Sequence, residues 1–371
     1  MGDSVPNPNF MFLFDLKPVP YCTHYKYLGS NINEYLDFTF TADKHCDSAG
    51  RALSSLITKM IKNNGFPYNV FTLLYNACVN SIADYSGAII GFQKVQSSLK
   101  LHLRAIRAFF GLPKNACIPG ILSEVDLLTP HYRNKLHMVR HYHRMMKMAD
   151  SRLTKRVMLW DKQLNKSKIV STWTSEVQEI FRESNMLAIF DASTCFHKKE
   201  VISKLSDFYL QKQKIELEAE CYLKPKLRTF LKFKDFSVLP AYIKKPLTFA
   251  QRRMLAKTRL GCLPIRMETG RYERPRLEET ERICLVCRPN DQLVDLEDQV
   301  KVVESETHFL YYCKAYSDER DLLIKQMTLP SNFLDLNDEE KLKLTLNDPL
   351  NVKFSSQFIL NAFNKRSTIL M

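Results

Sequence analysis

Between Asp43 and Met148 apolar residues recur every three or four positions, and this periodicity commits the segment to helices. Leu53, Leu56, Ile57, Met60 and Ile61 form one stripe, which Gly65-Phe66-Pro67 ends. Val70, Leu74, Cys78 and Ile82 form a second. Leu99, Leu103, Ile106 and Phe110 form a third, stopped by Gly111-Leu112-Pro113, with Lys100, Arg104 and Arg107 gathered on the opposite side. A fourth helical stretch runs from about Arg133 to Met148 and is crowded with bases, among them Arg140 and Arg144. The 371 residues contain only 10 glycines, too few for a turn-rich β architecture. No GxxxxGK or GxGxxG occurs to cradle a phosphate, and strands do not alternate with helices as in a doubly wound sheet.

The expected fold is therefore mainly α, with a short N-terminal β hairpin, in five segments. Residues 1–40 read as an extended β segment, where FMFLF and YKYLGSNI are broken by Pro18, Pro20 and Gly29. Residues 41–150 form a helical bundle and 151–261 a helical, basic connector, which ends in the helix QRRMLAKTRLG. Residues 262–320 hold a small Cys/His module. Residues 321–371 form a tail, whose last helix starts near Asp348-Pro349 and carries Phe358, Ile359, Ala362 and Phe363.

The module rests on four residues. Cys284 and Cys287 make a C-x2-C pair, and His308 and Cys313 follow as H-x4-C after an interval of 20 residues. A C-x2-C turn offers two thiolates to one tetrahedral ion, and four protein ligands leave no open position. The pattern predicts one zinc ion in a structural role. Buried reduced cysteines are the plainer alternative. The long interval must be looped out as the acidic stretch Asp291 to Glu306. The ten cysteines are unevenly spaced and follow a polar start, which predicts reduced thiols in a cytoplasmic or nuclear protein. No apolar run approaches the ~18 residues of a membrane span, so no membrane partner is expected.

Fifty-four Lys and Arg against 40 Asp and Glu give a net charge of +14, which favours polyanionic partners through counterion release. Bases interleave with aromatics at Arg104, Arg107, Phe109 and Phe110; at Arg140, Tyr142 and Arg144; and at Lys226, Arg228, Phe230 and Lys232. Arg252, Arg253, Lys257 and Arg259 crowd one short helix. Such patches suit phosphate contacts with base stacking, and each also reads as a solvated face over a core aromatic.

Other chemistries lack support. His137 and His141 share a helix face and His143 follows, but no HExxH occurs and no carboxylate is expected beside them. The chain has no Asp-Asp pair for two-metal chemistry, and Asp84 reads as lying inside a helical stripe without a partner. Arg288-Pro289-Asn290-Asp291 matches a nuclease core only loosely. No GxSxG occurs. The chain reads as a non-enzyme.

From Tyr25 onward the chain resembles the region beyond the palm in reverse transcriptases of non-LTR (LINE-type) retrotransposons. The likeness is carried by YKYLGSNI, LLYNACVNSIADYSGAIIGF, LRAIRAFFGLPKNA, SRLTKRVMLWD, KLRTF, RLGCLPIRMETGRY and ERICLVC with ETHFLYYCKAYSDER, in that order. It implies that the bundle is thumb-like and that Cys284, Cys287, His308 and Cys313 are the family's Cys-Cys-His-Cys zinc ligands, with Glu306 and Phe309 beside the turn. It implies a thumb gripping a nucleic-acid backbone through Lys100, Arg104 and Arg107, while Arg252, Arg253, Lys257 and Arg259 hold RNA or DNA. Further partners would be other parts of the retrotransposon polyprotein. The family's polymerase motif of paired aspartates has no counterpart in these 371 residues, so no catalytic residue carries over. The expectation is a non-catalytic nucleic-acid-binding fragment. The alternatives are a part of a polymerase whose palm comes from elsewhere, and a decayed helical scaffold. On the five-segment division, Cys284→Ser should loosen 262–320 and leave the first 110 residues folded.

Overall fold

The computed structural model describes residues 11–20, 22–33, 35, 37–167, 172–192, 195–287 and 302–370. Most of the acidic interval between the two Cys/His pairs, and the Arg288–Asp291 stretch with it, lies outside these residues.

Two small antiparallel hairpins come first, β1 (Leu13–Phe14) with β2 (Lys17–Pro18), and β3 (His24–Tyr27) with β4 (Ser30–Asn33). The second turns through Leu28 and Gly29, both at positive φ, which is the tight turn whose twist suits a two-residue hairpin. Its tip is fastened to the helical body. Tyr85 donates its hydroxyl to the Leu28 carbonyl at 3.0 Å, and Ser30 and Ser86 share a 2.8 Å hydrogen bond.

The helical character predicted from the periodicity is present throughout. The longer helices are α1 (Thr39–Lys62), α2 (Tyr68–Tyr75), α3 (Gln96–Phe110), α4 (Ile118–Ser123), α5 (Pro130–Met146) and α6 (Leu153–Ser167). They continue as α7 (Trp173–Glu183), α8 (Lys198–Tyr222), α9 (Phe249–Arg259), α10 (Ser317–Gln326), α11 (Asp338–Leu346) and α12 (Val352–Ile369). Gly111 ends α3 at φ +66°, and a Cβ there would sit 2.9 Å from Arg253 Cγ, so both backbone and packing call for glycine.

Two stripes differ from expectation. Ile61 is exposed, while Leu53, Leu56 and Met60 are buried. In α2 the buried face is Phe71, Tyr75 and Val79, one position on from the expected one, and Cys78 is exposed. Phe71 stacks on Phe109 with ring centroids 4.6 Å apart, and Tyr75 bonds buried His102, so aromatic partners on α3 choose the face. A π-helical turn at Asn76–Asn80 then carries the chain out of plain α register. Asp84 is not without a partner. It accepts Nε and Nη2 of Arg133 at 2.7 and 3.0 Å, and His137 Nε2 lies 3.8 Å away, so a carboxylate does stand beside the histidine helix.

The apolar interior divides differently from the five expected segments. One core runs from Cys46 on α1 through α3, α4, the end of α8 and α9 to Cys284, Phe309, Tyr316 and Ala362. A second, smaller core joins α5, α6, α7 and α8 around Tyr142, Phe181 and Tyr209. The divisions expected at 261 and 320 fall inside the first core.

A buried charge cluster fastens that core together. Glu124, just after α4, accepts Arg259 Nε and Nη2 at 2.7 and 2.9 Å and the Tyr242 hydroxyl at 2.7 Å, with Lys234 Nζ 3.4 Å away. Arg259 Nη1 reaches on to the Leu346 carbonyl at 2.6 Å, at the end of α11. Both Glu124 and Arg259 are fully buried.

Candidate metal centre and basic surface

The four predicted ligands come together. Cys284 and Cys287 follow a short antiparallel bridge between Ile283 and Val303, in which Cys284 N donates to the Val302 carbonyl at 2.9 Å and Glu304 N to the Arg282 carbonyl at 2.8 Å. The bridge pins both ends of the long interval, so its length does not disturb the site. His308 N donates to Ser305 Oγ at 3.1 Å, starting a π-helical turn over His308–Tyr312 that delivers Cys313 to the same point.

The three sulfurs and the imidazole nitrogen all lie within 4.8 Å of one another. Cys287 Sγ is 3.4 Å from His308 Nε2 and 3.1 Å from Cys313 Sγ. A tetrahedron with bonds of about 2.1 to 2.3 Å has edges of roughly 3.4 to 3.8 Å, so the residues fit one four-coordinate ion. A hydrogen bond from Cys313 pushes the Cys284 thiol well below the usual range, and the resulting thiolate pushes Cys313 upward. Among the described residues this is the one cluster of its kind, and the α5 histidines do not form another.

Behind Cys284 stands Glu304, fully buried, with its Oε1 3.6 Å from Cys284 Sγ. Glu304 accepts both Nη atoms of Arg366 on α12 and the backbone N–H of Arg266 at 2.7 Å. The module is thereby tied to the C-terminal helix, and Phe309 packs against Phe358 of that helix. Nothing in the spacing of the chain announced Glu304 or Arg366.

The eleven cations expected on nucleic acid separate into two groups. Four are spent inside the protein. Arg259 is locked to Glu124. Arg252 is 3% exposed, lies 4.3 Å over the Phe109 ring and donates to the Phe109 and Leu247 carbonyls. Lys226 pairs with Glu268, and Arg228 with buried Glu306 at 3.3 Å. The helix QRRMLAKTRLG is basic on its buried face because these charges are paired, stacked or bonded to carbonyls, so Arg252 and Arg259 face no external phosphate. Glu306, expected beside the metal turn, also accepts the Thr229 hydroxyl at 3.0 Å.

Seven others lie outward or half-buried: Lys100, Arg104, Arg107, Arg140, Arg144, Arg253 and Lys257. Among the described residues none of them stands within 4.0 Å of a carboxylate. Arg104 is held over α1 by hydrogen bonds to Ser54 Oγ at 2.7 Å and to the Gly50 carbonyl at 3.4 Å. Lys100, Arg104 and Arg51 line one groove, in which Asp47 is the one acid among the described residues. At the far end of α3, Arg107 Nε is buried without a hydrogen-bond partner, and Arg253 lies against Gly111. Burial, and then Arg253, lower the pKa of Lys257, which marks the two cations as neighbours.

No helix among the described residues is long and apolar enough to cross a membrane. Comparison of the chain with protein families, with curated proteins and with solved structures gives no match.

Proposed function

We propose that this chain is a non-catalytic nucleic-acid-binding protein that grips a phosphate backbone along α3 and the outer face of α9, and that its Cys3His site holds one structural zinc ion. The observation that carries the reading is the set of seven outward or half-buried cations that have no carboxylate within 4.0 Å among the described residues, set on helices whose other Lys and Arg are all paired or buried. An unpaired guanidinium or ammonium costs little in water and gains most when it displaces counterions from a polyanion. Three thiolates and an imidazole are a donor set that suits zinc, and four ligands leave no position for substrate, so the ion would shape the surface without taking part in a reaction. The resemblance to the thumb and C-terminal region of LINE-type reverse transcriptases supports the same reading. It points to RNA or DNA as partner and other parts of a retrotransposon polyprotein as associates, while the unevenly spaced cysteines suit a cytoplasmic or nuclear setting.

Two neighbouring arginines test it. Arg253→Ala should weaken binding to a structured RNA and make the slope of log affinity against log salt shallower by roughly 0.7 to 0.9, at unchanged melting temperature. Arg252→Ala, one residue away but facing inward, should lower the melting temperature. If Arg253→Ala binds RNA as the parent does at every salt concentration, the proposed surface is wrong.

A further inference from the structure

Helix α5 separates two clefts that share one residue, Arg140. The first, of about 740 Å³, opens between α5 and the β3–β4 hairpin. Tyr27 and Tyr85 stand in its walls with more than half their surface in water, and His137, Arg140, His141 and Arg144 line it from α5. Among the described residues no carboxylate lines it. The Tyr85 ring is fixed in place by its hydroxyl bond to the hairpin tip, and Arg144 Nη2 lies 3.1 Å from His141 Nδ1. The second cleft, of about 450 Å³, brings Lys198 and Lys199 at the start of α8 against Arg140, with Asp207 as the one acid among the described residues that line it. Glu200, the nearest acid in the chain, is taken by Lys204. Neither Lys198, Lys199 nor Arg140 has a carboxylate within 4.0 Å among the described residues.

The two clefts divide the chemistry of a nucleotide chain. Aromatic rings with exposed faces and apolar neighbours suit a base, and clustered cations without acids suit phosphates. We infer that a single unpaired stretch of nucleic acid runs across α5, with a base against Tyr27 and Tyr85 in the first cleft, its phosphate over Arg140 and Arg144, and the next phosphates at Lys198 and Lys199. The inference rests on the proposed function and specifies its substrate. Bases inside a duplex are covered on both faces by their neighbours and cannot reach the tyrosine rings, so the site selects single strands.

The test uses the full chain with a fluorescein-labelled oligouridylate or oligothymidylate of about twelve nucleotides, against a duplex of the same length, across a salt series. The single strand should bind more tightly than the duplex. Tyr27→Ala should weaken single-strand binding roughly 5- to 100-fold with the salt slope unchanged, and Tyr27→Phe should retain it. The double change Lys198→Ala/Lys199→Ala should make the single-strand slope shallower by about 1.4. Tyr27, Lys198 and Lys199 are exposed, so these variants keep the fold. Equal affinity for single strand and duplex, or a Tyr27→Ala chain that binds like the parent, overturns the inference and leaves backbone binding standing. Absence of any salt-dependent binding overturns both.

Discussion

Replacing Glu124 with alanine is expected to cost about 3–5 kcal/mol, enough to remove a large part of the stability of an ordinary domain. The reason is what it leaves behind. Arg259 is fully buried and Lys234 nearly so, and without Glu124 both lose the carboxylate that offsets their desolvation. The loss should spread across the first core, because this cluster joins α4 to α9 and, through Arg259 and the Leu346 carbonyl, to α11. Burial alone would raise the Glu124 pKa, but Arg259 and Lys234 outweigh it and hold the carboxyl at about 2. A depressed carboxyl contributes stability that is fully present above its unfolded value, near 4.5, and is lost as the pH falls toward about 2. Urea midpoints of parent and Glu124→Ala should therefore differ widely at neutral pH and converge in acid. A difference below about 1 kcal/mol at pH 7 would show that the pair does not carry the core. Replacing the whole cluster together, with Glu124→Gln, Lys234→Met and Arg259→Met, should recover much of the loss, since no uncompensated charge then remains.

The second large effect is expected from the metal. Structural zinc contributes on the order of 10–16 kcal/mol in small zinc modules, and on the proposed reading part of that becomes folding free energy of this chain. Chelation, or Cys313→Ser, should release one equivalent of zinc and lower the melting temperature. The damage should not stop at residue 320. Cys284, Phe309 and Cys313 belong to the same core as Phe358, Ile359 and Ala362, and Glu304 joins the Cys284 sulfur to Arg366. Hydrogen exchange should accordingly speed up over α12 as well as over residues 302–316, a wider effect than the segment boundaries alone would give. The second core, around Tyr142 and Tyr209, shares none of these contacts and should keep its protection. Exchange that rises only within residues 302–316 would contradict this coupling.

The contrast between the two effects indicates what could be read from the residues in order. Helices were legible because burial imposes a three-to-four repeat on apolar residues, and the stops at Gly65 and Gly111 fall where φ is positive. The Cys3His cluster was legible because a C-x2-C turn and an H-x4-C return are local geometries. The α2 face was read one position away because the choice between Leu74 and Tyr75 is made by Phe109 and His102 on another helix. Charged residues were the hardest to place. Arg252 and Arg253 are adjacent and chemically the same, yet one lies over Phe109 inside the core and the other faces water. Only long-range partners decide between them. Glu124 shares the run ILSEVDLL with Asp126, and its counter-ion lies 135 positions away. Glu304 and Arg366 carried no local signal.

The measurement that bears most directly on the account is the affinity of the zinc-loaded chain for a structured RNA across a salt series. Seven outward cations predict a steep fall, with a slope of log affinity against log salt on the order of −3 to −6. A slope near zero, or no binding at low salt, would contradict backbone binding and leave the metal centre as a structural feature of a protein with another role.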